Sequence, residues 1–161
     1  MNKDKQVILV VDDTALNLAL VTDLLKGSYK IKVATNGERA LAIAAASPPD
    51  LILLDVMMPV MDGYETCRRL KADERLRDIP VIFLTAKSKV EDEEFGFSLG
   101  AVDYIAKPIS PPLLIARVKT HLALKQASDF LRDQNAFLET EVARRMKEIT
   151  LIQDVSIVAM A

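Results

Sequence analysis

The first two-thirds of the chain alternate short apolar runs with longer segments of mixed polarity. Residues 51–54 and 81–84 are continuous apolar runs, and residues 6–11 contain another one after Gln6. This pattern is typical of strands buried on both faces of a parallel sheet. Residues 29–34 alternate apolar and polar side chains as an edge strand does, and residues 102–106 form a weaker candidate. The pattern therefore predicts five strands.

Helical patterns lie between these strands. Leu18, Val21 and Leu25 fall on one face of a helix predicted over residues 14–26. Strands that alternate with helices in this way favour an α/β fold, a doubly wound parallel sheet with helices on both faces. Three further helices are predicted over residues 37–46, 63–73 and 88–98.

Polar residues follow the predicted strands at the points where the apolar runs stop. Asp12 and Asp13 follow the first strand, Asp55 the third, Thr85 the fourth and Lys107 the fifth. The carboxyl ends of parallel strands share one edge of the sheet, where ligands bind. Each residue alone has a simpler interpretation, as a helix cap or a solvated side chain. Their joint occurrence at four strand ends favours one shared crevice.

Such a crevice needs a cation. Two carboxylates about 4 Å apart repel by roughly 4 kcal/mol at an effective dielectric of about 20, and oxygen ligands suit Mg²⁺. A lysine and a threonine hydroxyl beside a metal ion stabilise the oxygens of a phosphoryl group. Asp55 ends the central apolar run, so it is the candidate nucleophile that would form an acyl phosphate.

The residues that carry this chemistry resemble the receiver domains of two-component response regulators. The resemblance covers about residues 5–122 and implies a flavodoxin-like fold with strand order 2-1-3-4-5. It also implies that a sensor histidine kinase or phosphotransfer protein phosphorylates Asp55. The matching stretches are Asp12-Asp13, LLDVMMPVMDGYE at 53–65, LTAK at 84–87 and LGAVDYIAKPIS at 99–110.

The resemblance assigns the metal ligands. It implies direct Mg²⁺ ligation by Asp13, Asp55 and the backbone carbonyl of Met57, while Asp12 acts through water. For the side chains of Met57 and Met58 we expect plain packing.

The resemblance also assigns a switch. Thr85 and Lys107 would bind the phosphoryl group, and Tyr104 would be the aromatic residue that turns inward when Thr85 moves towards it. The Lys107-Pro108 peptide bond is expected to be cis, a minority state for bonds that precede proline.

Beyond residue 110 the chain changes to one long helical pattern. Pro111 and Pro112 suit a first helical turn, and neither glycine nor proline follows them. Apolar residues recur at coiled-coil spacing over about four heptads. One seam position holds Leu124, Leu131, Leu138 and Ile152 with Arg145 interrupting, and the other holds Ser128, Asn135, Val142 and Ile149.

This pattern predicts two parts, a receiver domain at residues 1–122 and a helical stalk at residues 123–161. We expect a parallel homodimer joined through residues 120–155, because a long heptad seam pairs with a second helix. The alternative is a helix that folds back on its own domain.

The last stretch, LIQDVSIVAMA at 151–161, resembles the start of the phosphohydrolase domain in HD-GYP response regulators, which cleave cyclic di-GMP. A binuclear metal hydrolase needs several histidine ligands, and this chain has one histidine. We therefore expect a regulatory fragment with a truncated output domain, and not the enzyme itself.

Composition excludes several other classes. A net charge of −2 argues against a nucleic-acid surface built on bulk charge. Cys67 is the only cysteine, so an internal disulfide is excluded and a reducing cytoplasm is expected. The N-terminal apolar run is too short for a signal peptide, and no run approaches the 18 residues of a membrane span. Cys67 and His121 are expected to pack and not to react.

Two other functions remain to be weighed. Haloacid-dehalogenase-like phosphohydrolases place a second aspartate two residues after the nucleophile, but Met57 stands there, so a proton donor for turnover is missing. The other alternative is a dimerisation module whose acidic pocket does not signal.

Overall fold

The structure, a computed structural model, describes residues 5–86 and 89–160, with side chains up to residue 152. Within these residues five strands alternate with five helices, as predicted. The strands are β1 (Val7–Val11), β2 (Lys30–Ala34), β3 (Leu51–Asp55), β4 (Val81–Thr85) and β5 (Asp103–Ala106). The helices are α1 (Ala15–Leu25), α2 (Gly37–Ala46), α3 (Gly63–Ala72), α4 (Val90–Ser98) and α5 (Pro111–Met160).

All strands pair in parallel, in the order β2-β1-β3-β4-β5. This confirms the predicted doubly wound, flavodoxin-like sheet. The alternating strand β2 lies at an edge and is partly exposed, whereas every residue of β3 and β4 is buried. Continuous apolar runs therefore became central strands because helices cover both of their faces.

Side chains that alternate along the strands supply two apolar layers. Leu9 and Val11 of β1 pack on the side that also holds buried residues of α2 and α3, while Ile8 and Val10 pack on the side of α1 and the start of α5. Both faces of the sheet are thus filled, which fixes the strand ends that carry the polar residues.

Two boundaries differ from the prediction in a way that concerns the site. Asp55 and Thr85 were expected to follow their strands, but they are the last residues of β3 and β4. The reason is that the ladder continues to this point: Asp55 pairs with Leu84, and Thr85 pairs with Ala106. Helix α4 begins at Val90, whereas the prediction began at residue 88; residues 87 and 88 lie outside the described residues.

The chain divides into two compact units, Met1–Lys125 and Gln126–Ala161, where the sequence predicted a boundary at residue 122. The second unit is helical, and its large apolar side chains up to residue 152 are exposed: Phe130, Leu131, Phe137, Leu138, Val142, Met146, Ile149, Leu151 and Ile152. The side chains of residues 153–161, which include most of the HD-GYP-like stretch, lie outside the described part. Within the described residues, no helix is long and apolar enough to cross a membrane.

Candidate functional site

Three polar residues from distant parts of the chain meet at the carboxyl edge of the sheet. Asp12 directly follows β1, Asp55 ends β3 and Lys107 directly follows β5. The Lys107 Nζ atom lies 3.1 Å from Asp12 Oδ2 and 3.2 Å from Asp55 Oδ1. One ammonium group therefore bridges two carboxylates.

Asp13 completes a carboxylate cluster with Asp12 and Asp55. One oxygen from each of the three lies within 4.8 Å of the other two; Asp12 and Asp55 are buried and Asp13 is exposed. Backbone N–H groups orient the buried pair: that of Thr14 donates to Asp12 Oδ1 at 2.9 Å, and that of Met57 donates to Asp55 Oδ1 at 3.3 Å. The cluster thus opens to solvent on the Asp13 side.

Burial and neighbouring charge govern ionisation in this cluster. Burial raises the pKa of the Asp55 carboxyl, the charge of Asp12 raises it further, and Lys107 offsets part of the rise. Burial works against the charge of the Lys107 ammonium, but hydrogen bonds and attraction from Asp12 and Asp55 outweigh burial and raise its pKa. Lysine therefore stays charged beside the acids.

The donor set fits a hard divalent cation. Three carboxylates face one ammonium, so the cluster keeps excess negative charge when all are ionised. All the donor atoms are oxygens, and one side is open to solvent, which suits a Mg²⁺ ion that keeps part of its water shell. The expectation that the Met57 side chain packs is wrong, because it is exposed, whereas Met58 is buried in the core as expected. The Met57 carbonyl remains the expected further ligand.

The loop after Asp55 returns closely beneath it. The Gly63 N–H donates to the Val56 carbonyl at 2.9 Å, and a Cβ atom at position 63 would overlap the backbone oxygen of Asp55. Only glycine allows this approach. Asp62 caps the start of α3, since its Oδ1 accepts from the Glu65 N–H at 2.8 Å. An Asp-Gly pair is typical of such a turn.

Thr85 and Lys107 are neighbours across adjacent strands. Thr85 is buried, and its carbonyl accepts from the Lys107 N–H at 2.8 Å. The Lys107-Pro108 bond is cis, as expected. Thr85 thus lies on the strand between Asp55 and the lysine.

Tyr104 lies inward in this structure. Its ring packs on Phe83 and Phe97, each with a centroid distance of 5.4 Å, and its hydroxyl donates to the Asp92 carbonyl at 2.6 Å. Burial raises the pKa of this hydroxyl, so it remains a donor. Gly96 of α4 faces the hydroxyl, a contact that no pattern in the sequence signalled.

His121 belongs to a different cluster at the amino end of β5. Its Nε2 lies 2.8 Å from Asp103 Oδ2, and Arg117 Nη1 lies 2.5 Å from Asp103 Oδ1. Burial opposes ionisation of Asp103, but hydrogen bonds from Arg117 and His121 outweigh it and lower the pKa of this carboxyl. His121 therefore ties α5 to β5. Cys67 is buried, and burial raises the pKa of its thiol to about 11.

Fold and site together define a phosphoacceptor-type domain: a five-stranded sheet in the order 2-1-3-4-5 with clustered acids and a lysine at its carboxyl edge. Residues 8–119 match the family described as response regulator receiver domain. The chain belongs to this family, and it is the phosphoacceptor module of a two-component response regulator.

Curated relatives extend the match into the stalk. A protein named "Probable cyclic di-GMP phosphodiesterase" from Vibrio cholerae serotype O1 is 51% identical over 154 residues, which are 96% of this chain and 35% of the relative. Response regulator PleD from Caulobacter vibrioides is 45% identical over 130 residues, which are 80% of this chain and 29% of PleD. The chain thus spans about a third of the length of these relatives.

Solved structures agree with the fold. The receiver domain of a signal transduction histidine kinase from Syntrophus aciditrophicus is 38% identical, with a TM-score of 0.68. The alignment covers 73% of the present chain and 90% of the Syntrophus chain. Chemotaxis protein CheY4 from Vibrio cholerae is 29% identical, with a TM-score of 0.69. The alignment covers 72% of the present chain and 98% of CheY4.

Proposed function

We propose that Asp55 accepts a phosphoryl group from a sensor histidine kinase or phosphotransfer protein in a Mg²⁺-dependent reaction. The observation that carries this proposal is the position of Asp55, only 3% exposed, between two further carboxylates and the ammonium of Lys107 at 3.2 Å. A nucleophile, a cation site and a fixed positive charge are the parts that phosphoryl transfer requires.

In the transfer step a carboxylate oxygen of Asp55 attacks phosphorus. The new O–P bond forms as the N–P bond of the donor phosphohistidine breaks, the electron pair goes to the imidazole nitrogen, and that nitrogen takes up a proton. Lys107 stabilises the charge on the phosphoryl oxygens, and the Thr85 hydroxyl donates a hydrogen bond to one of them. Asp13, Asp55 and the Met57 carbonyl would hold Mg²⁺ directly, and Asp12 would hold it through water; the bound ion would supply further charge neutralisation.

We propose that Thr85 and Tyr104 convert phosphorylation into a change of shape. Phe83 and Thr85 share one face of β4 because they are two residues apart, and Phe83 already packs on the ring of Tyr104. A shift of Thr85 towards the phosphoryl group moves this face of β4. The packing of Tyr104 against α4 then changes with it.

The output passes through a dimeric stalk in this proposal. With a receiver domain at residues 1–122 and a stalk at 123–161, residues 120–155 of two chains would pair as a parallel coiled coil. The seam residues Leu131, Leu138 and Val142 are each more than half exposed in the single chain, so pairing would remove apolar surface from water. The polar Asn135 would fix the register.

We further propose that this chain is the regulatory part of a cyclic di-GMP phosphodiesterase. The support is the name of the Vibrio cholerae relative, of which the chain covers 35%. The chain itself contains one histidine, whereas a binuclear hydrolase site needs several. The purified chain should therefore leave cyclic di-GMP intact with Mg²⁺, Mn²⁺ or Fe²⁺.

Mass spectrometry tests the central step. Acetyl phosphate and Mg²⁺ should add one phosphoryl group to the wild-type chain and to Asp23→Asn, a control at an exposed aspartate, but none to Asp55→Asn. Phosphate retained in Asp55→Asn and mapped elsewhere would refute the assignment. A chain that dimerises but never takes up phosphate would instead favour the dimerisation module with a non-signalling acidic pocket.

A further inference from the structure

The heptad seam of the stalk contains one charged residue, Arg145. It occupies the position that Leu131 and Leu138 hold in the two preceding heptads. The seam residues before and after it, Val142 and Ile149, are apolar and exposed in the single chain. A polar residue in the seam lowers the stability of a coiled coil, so pairing of the helices does not by itself explain the arginine.

The acidic residues that could balance Arg145 are bonded to its neighbour, Arg144. The nearest acids on the helix are Glu141 and Glu148, four residues before and three residues after Arg145. Arg144 Nη2 donates to Glu141 at 3.0 Å, and Arg144 Nη1 donates to Glu148 at 2.7 Å. In the part of the chain that the structure describes, no acidic side chain pairs with Arg145. Its guanidinium is thus left without a counter-charge.

Pairing of two stalks would bring two such guanidinium groups together. In a parallel coiled coil each seam residue lies opposite its equivalent and enters a hole formed by four residues of the facing helix. For Arg145 this hole consists of Val142, Arg145, Met146 and Ile149 of the second chain. Three of the four are apolar, so the charge that one arginine meets there is that of the other arginine. Like charges at close range repel, and an anion between them would remove the repulsion.

We infer that the two Arg145 residues of a stalk dimer form a binding site for a small oxyanion such as inorganic phosphate. This inference rests on the proposed parallel dimer, because one chain supplies only half of the site. A guanidinium presents its N–H donors in a planar fork that matches the oxygens of phosphate or sulfate, so two of them hold one tetrahedral anion from opposite sides. The apolar layers of Val142 and Ile149 close the site above and below, which leaves room for a small anion and not for a nucleotide.

The anion should stabilise pairing, because only the dimer binds it. Analytical ultracentrifugation in EDTA measures the dimer dissociation constant in sodium chloride and in sodium phosphate at pH 7 and equal ionic strength, so that general screening is the same. We expect the wild-type dimer to be at least ten-fold tighter in phosphate. Arg145→Leu should dimerise at least ten-fold more tightly than wild type in chloride, and phosphate should change its constant less than two-fold.

Lys147→Leu is the matched control, because it removes a positive charge from the outer side of the same stretch of helix. It should keep the ten-fold response to phosphate. Calorimetric titration of phosphate into the wild-type dimer should give one anion per two chains, and into Arg145→Leu none. Circular dichroism should show equal helix content in both proteins, so that a lost response is not a lost stalk.

Two results overturn the site while leaving the dimer intact. One is a wild-type constant that changes less than two-fold between the two salts. The other is a response in Arg145→Leu equal to that of wild type, which would place the phosphate effect elsewhere in the protein. Failure of the proposed dimer is distinct, because the wild-type chain would then be a monomer in both salts, and the inference would fail with it.

Discussion

The hydroxyl of Tyr104 in β5 donates a hydrogen bond to the backbone carbonyl of Asp92 in α4, at 2.6 Å. The hydroxyl can approach α4 this closely because residue 96 is glycine: a Cβ atom at Gly96 would overlap the Tyr104 hydroxyl. A glycine in the middle of a helix is otherwise unfavourable. The absence of a side chain at position 96 is thus what permits the inward position of Tyr104.

We expect Gly96→Ala to displace Tyr104 and to lower the Tm. In the Tyr104→Ala background the same substitution should instead stabilise the protein, by about 0.5–1 kcal/mol, since alanine favours the helix and nothing remains to overlap. Chemical unfolding of the four proteins of this double-mutant cycle measures both effects. A stabilising Gly96→Ala in the presence of Tyr104 would contradict the role given to the glycine.

Asp55→Asn should stabilise the metal-free protein at neutral pH by a few degrees in Tm. Burial and the charge of Asp12 raise the pKa of Asp55, so the folded state disfavours the ionised carboxylate. The contribution of Asp55 to stability is therefore fully present below its unfolded pKa and is lost as the pH rises through the higher folded pKa. The advantage of the variant should consequently shrink as the pH approaches 4.

Thermal unfolding of both proteins from pH 4 to pH 8 in EDTA measures this difference. Asp23→Asn, at an exposed aspartate, serves as the matched control and should follow wild type across the range. An advantage of Asp55→Asn that grows towards low pH would show that the sign is wrong.

Mg²⁺ should stabilise the wild-type protein by about 2.7 kcal/mol at a free concentration 100 times its Kd. Asp13→Asn should weaken this binding more than Asp12→Asn does, because a direct ligand contributes more than one that acts through water. In the Asp13→Asn variant the Asp12 carboxylate would keep its contact with the Lys107 ammonium, 3.1 Å away. Calorimetric titration of the three proteins decides the order, and wild-type affinity in both variants would exclude the metal site.

The 161-residue chain should be a dimer at tens of micromolar, and a chain that ends at Lys125 should be a monomer. The double variant Leu131→Asp, Leu138→Asp should also be monomeric, because it places charge on exposed apolar residues of the predicted seam. Thr140→Asp, on the outer side of the heptad pattern, should remain dimeric. Light scattering measures these masses, and a monomeric full-length chain would refute the stalk interface.

The sequence by itself determined the sheet and the position of its polar residues. Short continuous apolar runs such as residues 51–54 and 81–84 favour strands covered on both faces. Once the strands are parallel, Asp12, Asp55 and Lys107 must lie at one edge, however distant they are in the chain. Heptad spacing likewise fixed which residues of the stalk share a face. These features follow from the spacing of apolar residues along the chain and from the parallel direction of the strands.

Tertiary structure decided the features that depend on contact between distant elements. The inward position of Tyr104 requires Gly96 of a different element to lie beside it, and no period in the sequence relates the two. The positive φ of Val60 is imposed by buried anchors on both sides of the loop, against the preference of valine itself. The contact of His121 Nε2 with Asp103 Oδ2 depends on how α5 packs on β5. A residue pattern fixes which face a side chain occupies, but its conformation and partners are set by the surfaces that the rest of the fold brings against it.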